Sequence, residues 1–163
     1  MTTVTEGKKL PEITGHLALA TTRGNARLAD FRGHQLVIYF YPKDDTPGCT
    51  VEGNDFSALH PQFLKSDTQV IGVSRDSLAS HDKFVKKYGL SMTLVSDTDE
   101  TLCRAFDVIK EKNMYGKKVM GVERSTFLID ADGVVQRSWR AVKVPGHAED
   151  VLQAARDLRA SRA

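Results

Sequence analysis

Leu36-Val37-Ile38-Tyr39-Phe40-Tyr41-Pro42-Lys43-Asp44-Asp45-Thr46-Pro47-Gly48-Cys49-Thr50 is the stretch whose reading decides the architecture. Its first part is continuously apolar, mostly β-branched or aromatic, and ends at Pro42. Such a short run predicts a central strand buried on both faces. Its second part reads as a turn into a helix, with Thr46 as N-cap and Pro47 at the first helical position. Cys49 then falls in the first turn, among amides that lack an intrahelical acceptor and at the positive end of the helix dipole. Cysteines in such settings have pKa values of roughly 3.5–7.5. Val51, Phe56, Leu59 and Phe63 supply a partial inner face, and Pro61 is expected to bend or end the helix.

Working outward, residues 1–14 read as a polar, extended lead-in. His16–Ala20 is a candidate short strand, Asn25 a turn, 26–28 a return strand and 29–33 a helical turn stopped by Gly33. Downstream, 69–74 is a second buried strand, followed by a helix from Ser77 to Tyr88, capped by Ser77 and stopped by Gly89. A third strand, 93–96, leads to a helix capped by Asp97 or Thr98 and running to about Phe106. The polar segment 108–118 reads as a loop. Strands at 119–122 and 125–130 follow, and Asp130-Ala131-Asp132-Gly133 turns into a strand ending at Trp139. A last helix runs from Gly146 or His147 to Arg159. The alternation predicts an α/β fold with a mixed β-sheet flanked by helices.

The 163 residues are expected to form a single domain. Its 40% hydrophobic and 27% charged content is that of a globular chain. A net charge of +2, with the basic residues scattered, argues against a nucleic-acid partner. No apolar run approaches the length of a membrane span, and the N-terminus lacks the apolar region of a signal peptide. A cytoplasmic location is the resulting expectation. Two cysteines, Cys49 and Cys103, do not make a disulfide scaffold.

Pro42, Thr46 and Cys49 form P-x-x-x-T-x-x-C. Pro42 ends the strand, and its ring is placed to shield the sulfur. Thr46 sets a hydroxyl, both donor and acceptor, one turn before it. A thiolate attacking an O–O bond needs both oxygens held in line and donors to meet charge on the departing one. Arg124, just ahead of Ser125-Thr126-Phe127-Leu128-Ile129, is the candidate cation to reach over the sheet end and stabilise sulfur and leaving oxygen. The plainer alternatives are a buried small Cys49 and a solvated strand-edge Arg124.

With these residues in view, the sequence resembles the peroxiredoxins, and most closely the peroxiredoxin Q, or bacterioferritin comigratory protein, group. The resemblance is carried by 39–52, by Val70-Ile71-Gly72-Val73-Ser74, by Leu94-Val95-Ser96-Asp97 and by 124–133, and it spans about residues 7–155. It implies a thioredoxin-like fold and a thiol-dependent peroxidase without metal, haem or other cofactor. By that likeness Cys49 is the peroxidatic cysteine, Thr46 and Pro42 its fixed neighbours and Arg124 the family's arginine. Hydrogen peroxide or an organic hydroperoxide would oxidise Cys49 to the sulfenic acid. Glu52 matches the family's acidic position, either orienting Arg124 or the backbone, or simply solvated. A monomer is common in this group.

The chain departs from the pattern at the resolving cysteine. Many relatives carry it five residues after the peroxidatic one, where Asn54 stands here, and others on the next helix, near Phe84 and Val85. Cys103 remains as a possible resolving residue, although its place beside the Leu102/Phe106 stripe reads as core packing. The expectation is a one-cysteine cycle with an external reductant, either thioredoxin or glutathione with glutaredoxin. A peroxide sensor with little turnover is the alternative from another class, and a two-cysteine cycle through Cys103 a further one. The five histidines, His16, His34, His60, His81 and His147, lack ligand spacing and read as surface or helix-end residues, with no metal site. Asp44-Asp45 reads as a solvated turn, and Trp139 as packing.

Overall fold

The expected central strand is β3 (Gln35–Phe40), buried at every position. It pairs in parallel with β4 (Thr68–Ser74) and antiparallel with β8 (Ser125–Ile129). In this computed structural model, which describes residues 4–161, both neighbours belong to one seven-stranded mixed sheet. The remaining strands are β1 (Leu19–Thr21), β2 (Gly24–Ala26), β5 (Thr93–Ser96) and β9 (Val135–Trp139), in the order β2-β1-β5-β4-β3-β8-β9. The lead-in expected at 1–14 begins on residues outside the described ones. Within it, Lys9 bridges to Val134, and a short α1 (Glu12–Gly15) interrupts the extended chain.

Because successive side chains of a strand point to opposite faces, β3 divides the core in two. Leu36, Ile38 and Phe40 face α4 (Thr101–Ala105), the 3-10 turn Leu28–Phe31 and the N-terminal Val4 and Leu10. Val37 and Tyr39 face α2 (Pro47–Lys65), α3 (Leu78–Tyr88) and α5 (His147–Ser161) through Phe56, Phe63, Phe84, Val151 and Ala155. Cys103 lies in the first layer and Cys49 in the second, on opposite faces of the sheet.

The structure corrects several readings of the sequence. Pro61 neither ends nor interrupts α2, which continues to Lys65. The carbonyl that Pro61 cannot satisfy, that of Ser57 one turn earlier, accepts instead from Ser91 Oγ at 3.4 Å. Segment 108–118 is not a loop. It forms most of an antiparallel hairpin, β6 (Ile109–Met114) and β7 (Lys117–Val122), turning through Tyr115 and Gly116, both at positive φ. Its strands are largely exposed, so they show no apolar alternation to read. The helix after β5 starts at Thr101 rather than at Asp97 or Thr98, yet Asp97 still caps it, accepting from the amides of Leu102 and Cys103 at 3.0 and 2.7 Å. Finally, His60 and His81 are buried inside helices, whereas His16 and His34 lie at the surface and His147, though buried, heads α5 as a helix-end residue. Burial holds the His147 imidazole neutral, at about 4, and its Nε2 meets the Thr126 hydroxyl at 2.8 Å.

Tyr39, which stacks on Tyr41 and Phe56 at 5.5 and 4.5 Å between ring centres, sits directly opposite Gly72 in the β3–β4 register. A Cβ at position 72 would lie 2.7 Å from Tyr39 Cζ and 2.8 Å from Leu94 Cδ2. Gly72→Ala is therefore expected to destabilise the fold by about 1–3 kcal/mol through overpacking. Urea unfolding monitored by circular dichroism would measure it, and an unchanged midpoint would contradict this packing.

Candidate active site

The C-terminal end of β3 and the N-terminal end of β8 are brought side by side by their antiparallel register, in which Phe40 faces Ser125. Arg124 immediately precedes Ser125, and the turn after Phe40 leads into α2, so both converge on one end of the sheet. Thr46 occupies the N-cap position with extended backbone and Pro47 opens the helix, as the sequence predicts. The Thr46 hydroxyl does not cap the helix. It donates to the Lys43 carbonyl at 2.8 Å and so braces the turn. Pro42 is half-buried just past the end of β3.

Cys49 is 2% exposed at the third position of α2. Thr50 is hydrogen-bonded to the Thr46 carbonyl at 2.8 Å, whereas the amides of Gly48 and Cys49 fall in the turn where a helix offers no acceptor. Arg124 Nη2 donates to Cys49 Sγ at 3.4 Å, and its Nη1 to Glu52 Oε1 at 2.6 Å. Glu52 lies one turn beyond Cys49 on the same face of α2, so one guanidinium bridges both side chains. Gly48 leaves room for it, since a Cβ there would stand 3.1 Å from Arg124 Nη2.

Glu52 is 1% exposed and is not the solvated alternative. Burial raises its carboxyl to about 7 even though the Arg124 charge and hydrogen bond pull the other way. Burial also works against the charge on Arg124, but Glu52 and Cys49 together hold the guanidinium more firmly protonated than usual. Two buried oxygens beside this group, Glu52 Oε2 and Tyr39 Oη, have no hydrogen-bond partner among the described residues. Burial, then Glu52 and Cys49, keep Tyr39 neutral by raising its phenol.

Of the residues singled out in the sequence, Cys49, Glu52 and Arg124 thus meet, Thr46 and Pro42 lie in the turn that leads to Cys49, and Cys103 is elsewhere. Cys103 is fully buried, and burial with the neighbouring Asp97 drives its thiol far above the ordinary range. Sequence reasoning missed Asp44 and His81. Asp44 is not in a solvated turn. It is 7% exposed, accepts from Tyr41 Oη and Ser80 Oγ at 2.6 and 2.8 Å, and lies 2.7 Å from His81 Nδ1. The signal for this was only the apolar neighbourhood of Tyr41, because His81 and Ser80 are distant in sequence.

A cysteine at a helix N-terminus under an arginine, on a sheet of this topology, agrees with what known proteins show. The chain matches the AhpC/TSA family over residues 7–138. It is 59% identical over 147 residues to Peroxiredoxin Bcp of Xanthomonas campestris pv. campestris, covering 90% of this chain and 92% of that one. The chain belongs to the AhpC/TSA family, as a peroxiredoxin of the Bcp, or Q, kind. Its fold is the thioredoxin-like fold of these enzymes. A Xanthomonas campestris bacterioferritin comigratory protein, solved in work on its alkyl peroxide reduction activity, superposes with a TM-score of 0.90 at 55% identity, covering 95% of this chain and 99% of that one. Xanthomonas campestris Peroxiredoxin Q has been solved as mutants with serine at two different cysteine positions. Their TM-scores are 0.89 and 0.86, at 56% and 59% identity, covering 93% and 90% of this chain and 97% and 94% of theirs.

The elevated Glu52 carboxyl makes a stability prediction. The folded protein keeps a proton on Glu52 that the unfolded chain releases as pH rises from the ordinary glutamate value of 4.5 to about 7. Wild-type stability therefore falls through that window, and Glu52→Gln removes this part of the fall. Urea unfolding of both proteins at about pH 5 and pH 8 should show the wild type losing on the order of 2 kcal/mol more than the variant. Parallel losses would contradict a raised Glu52.

Proposed function

We propose that the chain is one thioredoxin-like domain that reduces hydrogen peroxide and organic hydroperoxides through Cys49, in a one-cysteine cycle closed by an external thiol. The observation that carries this is the Arg124 guanidinium, in contact with Cys49 Sγ at 3.4 Å and anchored by Glu52 at 2.6 Å. A fixed positive charge favours negative charge on the sulfur and then on the oxygen that departs.

In the first step the Cys49 thiolate attacks the outer oxygen of the hydroperoxide. The S–O bond forms as the O–O bond breaks, and the electron pair leaves on the second oxygen, which takes up a proton as water or an alcohol. Cys49 becomes the sulfenic acid, oxidised by two electrons. The free amides of the first turn and Arg124 supply the donors around this path, Thr46 Oγ1, its hydrogen given to the Lys43 carbonyl, offers an acceptor for the hydroperoxide proton, and Pro42 limits the approach of solvent. An external thiolate then displaces hydroxide from the sulfenic acid to give a mixed disulfide, and a second thiol releases reduced Cys49. Thioredoxin, or glutathione with glutaredoxin, has the chemistry for this. We assign the cycle to a monomer in the cytoplasm. No described helix is long and apolar enough to cross a membrane.

Two observations support a single working cysteine. Asn54 stands five residues after Cys49. The interval between the two substituted cysteines of the Xanthomonas protein, counted from Cys49, ends on Val85 of α3. Cys103, packed on the other face of the sheet with its thiol strongly protonated, is a poor nucleophile for a sulfenic acid at position 49.

Steady-state peroxide consumption with dithiothreitol as sole reductant tests the cycle. Cys103→Ser should keep turnover within about 2-fold of wild type, and Cys49→Ser should abolish it. Loss of recycling in Cys103→Ser, with the first oxidation still fast, would overturn the one-cysteine cycle. A single stoichiometric burst in the wild type would overturn the enzyme reading in favour of a sensor.

A further inference from the structure

The loop between β3 and α2, which sets the position of Thr46 and Cys49, is fastened at its middle to a buried polar knot that the peroxidase chemistry does not use. His81 of α3 has 0% exposure. Its Nε2 lies 2.8 Å from the Val95 carbonyl oxygen of β5, an acceptor only, so Nε2 carries a hydrogen and donates. Its Nδ1 lies 2.7 Å from Asp44 Oδ2, and one proton is held between these two atoms. The Asp44 carboxylate also receives Tyr41 Oη at 2.6 Å and Ser80 Oγ at 2.8 Å, while its backbone amide donates to Asp76 Oδ2 at 2.9 Å. Asp76 in turn receives the Ser74 hydroxyl at 2.6 Å. The next residue, Asp45, sits at φ 57° and is tied to Lys87 Nζ and Tyr88 Oη of α3 at 2.7 and 2.5 Å.

We propose that the buried Asp44–His81 pair is a lock that fixes the loop ahead of Cys49, and that His81 is a positioning residue for the peroxide reaction. The ring is held between β5 and the loop, so among the α3 side chains that tie this loop His81 is the one that also fixes it to the sheet ahead of Thr46 and the first turn of α2. An in-line displacement is sensitive to sub-ångström placement of its donors, whereas capture of the same sulfur by a small alkylating agent is not. Asp44, Asp76 and His81 also offer ligand atoms within 4.8 Å of one another, a spacing a divalent cation can bridge. Each of those atoms already has a hydrogen-bond partner, which favours the lock over a metal site.

This inference rests on Cys49 being the peroxidatic sulfur, and two rate constants on the full chain separate the two claims. One is oxidation of Cys49 by hydrogen peroxide in stopped flow. The other is its alkylation by iodoacetamide, followed by mass spectrometry of the Cys49 peptide. If wild type itself reacts slowly with peroxide, the reading of Cys49 fails. If wild type is fast, His81→Gln should slow the peroxide reaction about 10-fold or more while alkylation shifts less than about 3-fold. Ser80→Ala removes one donor to Asp44 and leaves the imidazole in place, so it should slow only the peroxide reaction, by about 3-fold. It carries the test alone if His81→Gln does not fold. Unchanged peroxide rates, or peroxide and alkylation rates falling in proportion, would overturn the lock. So would a wild-type melting temperature raised by added zinc chloride.

Discussion

One guanidinium holds the site together. Arg124 hydrogen-bonds both Cys49 and Glu52, and it does so from just ahead of β8, distant in sequence. Its charge is kept in a half-buried place because a carboxylate and a sulfur face it there. Remove the guanidinium and Glu52 becomes a buried acid with no counter-charge at 1% exposure, an arrangement a fold does not tolerate in its ionised form. The contact that would activate sulfur thus also lets the buried Glu52 ionise.

Everything that brings Arg124 to Cys49 is set by the β3–β8 register. A slip of one residue would exchange the side chains that pack on the two faces, and both faces are filled, because β3 is buried at all six positions and β8 at all five. The aromatic layer of Tyr39, Tyr41 and Phe56 on one face, and of Phe40, Phe106 and Phe127 on the other, ties that register to the helices. Gly48 and Gly72 contribute by having no side chain, one making room for the guanidinium and the other for the Tyr39 ring.

The sequence made the central strand, the start of α2 and the α3 caps legible, because each is encoded locally by an apolar run, by Thr46-Pro47 and by Ser77 with Gly89. Cys49 and Arg124 were legible as a motif and as a resemblance. What stayed hidden depended on distant partners. Pro61 looked like a helix end because the rescue of the Ser57 carbonyl comes from Ser91. Segment 108–118, which holds β6 and the start of β7, looked like a loop because it buries too little to alternate, whereas 119–122 was legible as a strand. Asp44 and His81 looked like surface residues because polar side chains are read as solvated until their partners, here separated by the whole of α2 and β4, are known.

The most direct test of the account is the second-order rate constant for oxidation of Cys49 by hydrogen peroxide in wild type and in Arg124→Gln, both shown folded by circular dichroism. The account predicts a loss of about 100-fold or more, the scale set by removing a charged donor from a developing oxyanion. Equal rates in the two proteins would contradict it, leaving Arg124 as a packing residue and the reactivity of the sulfur to be explained by the helix terminus alone.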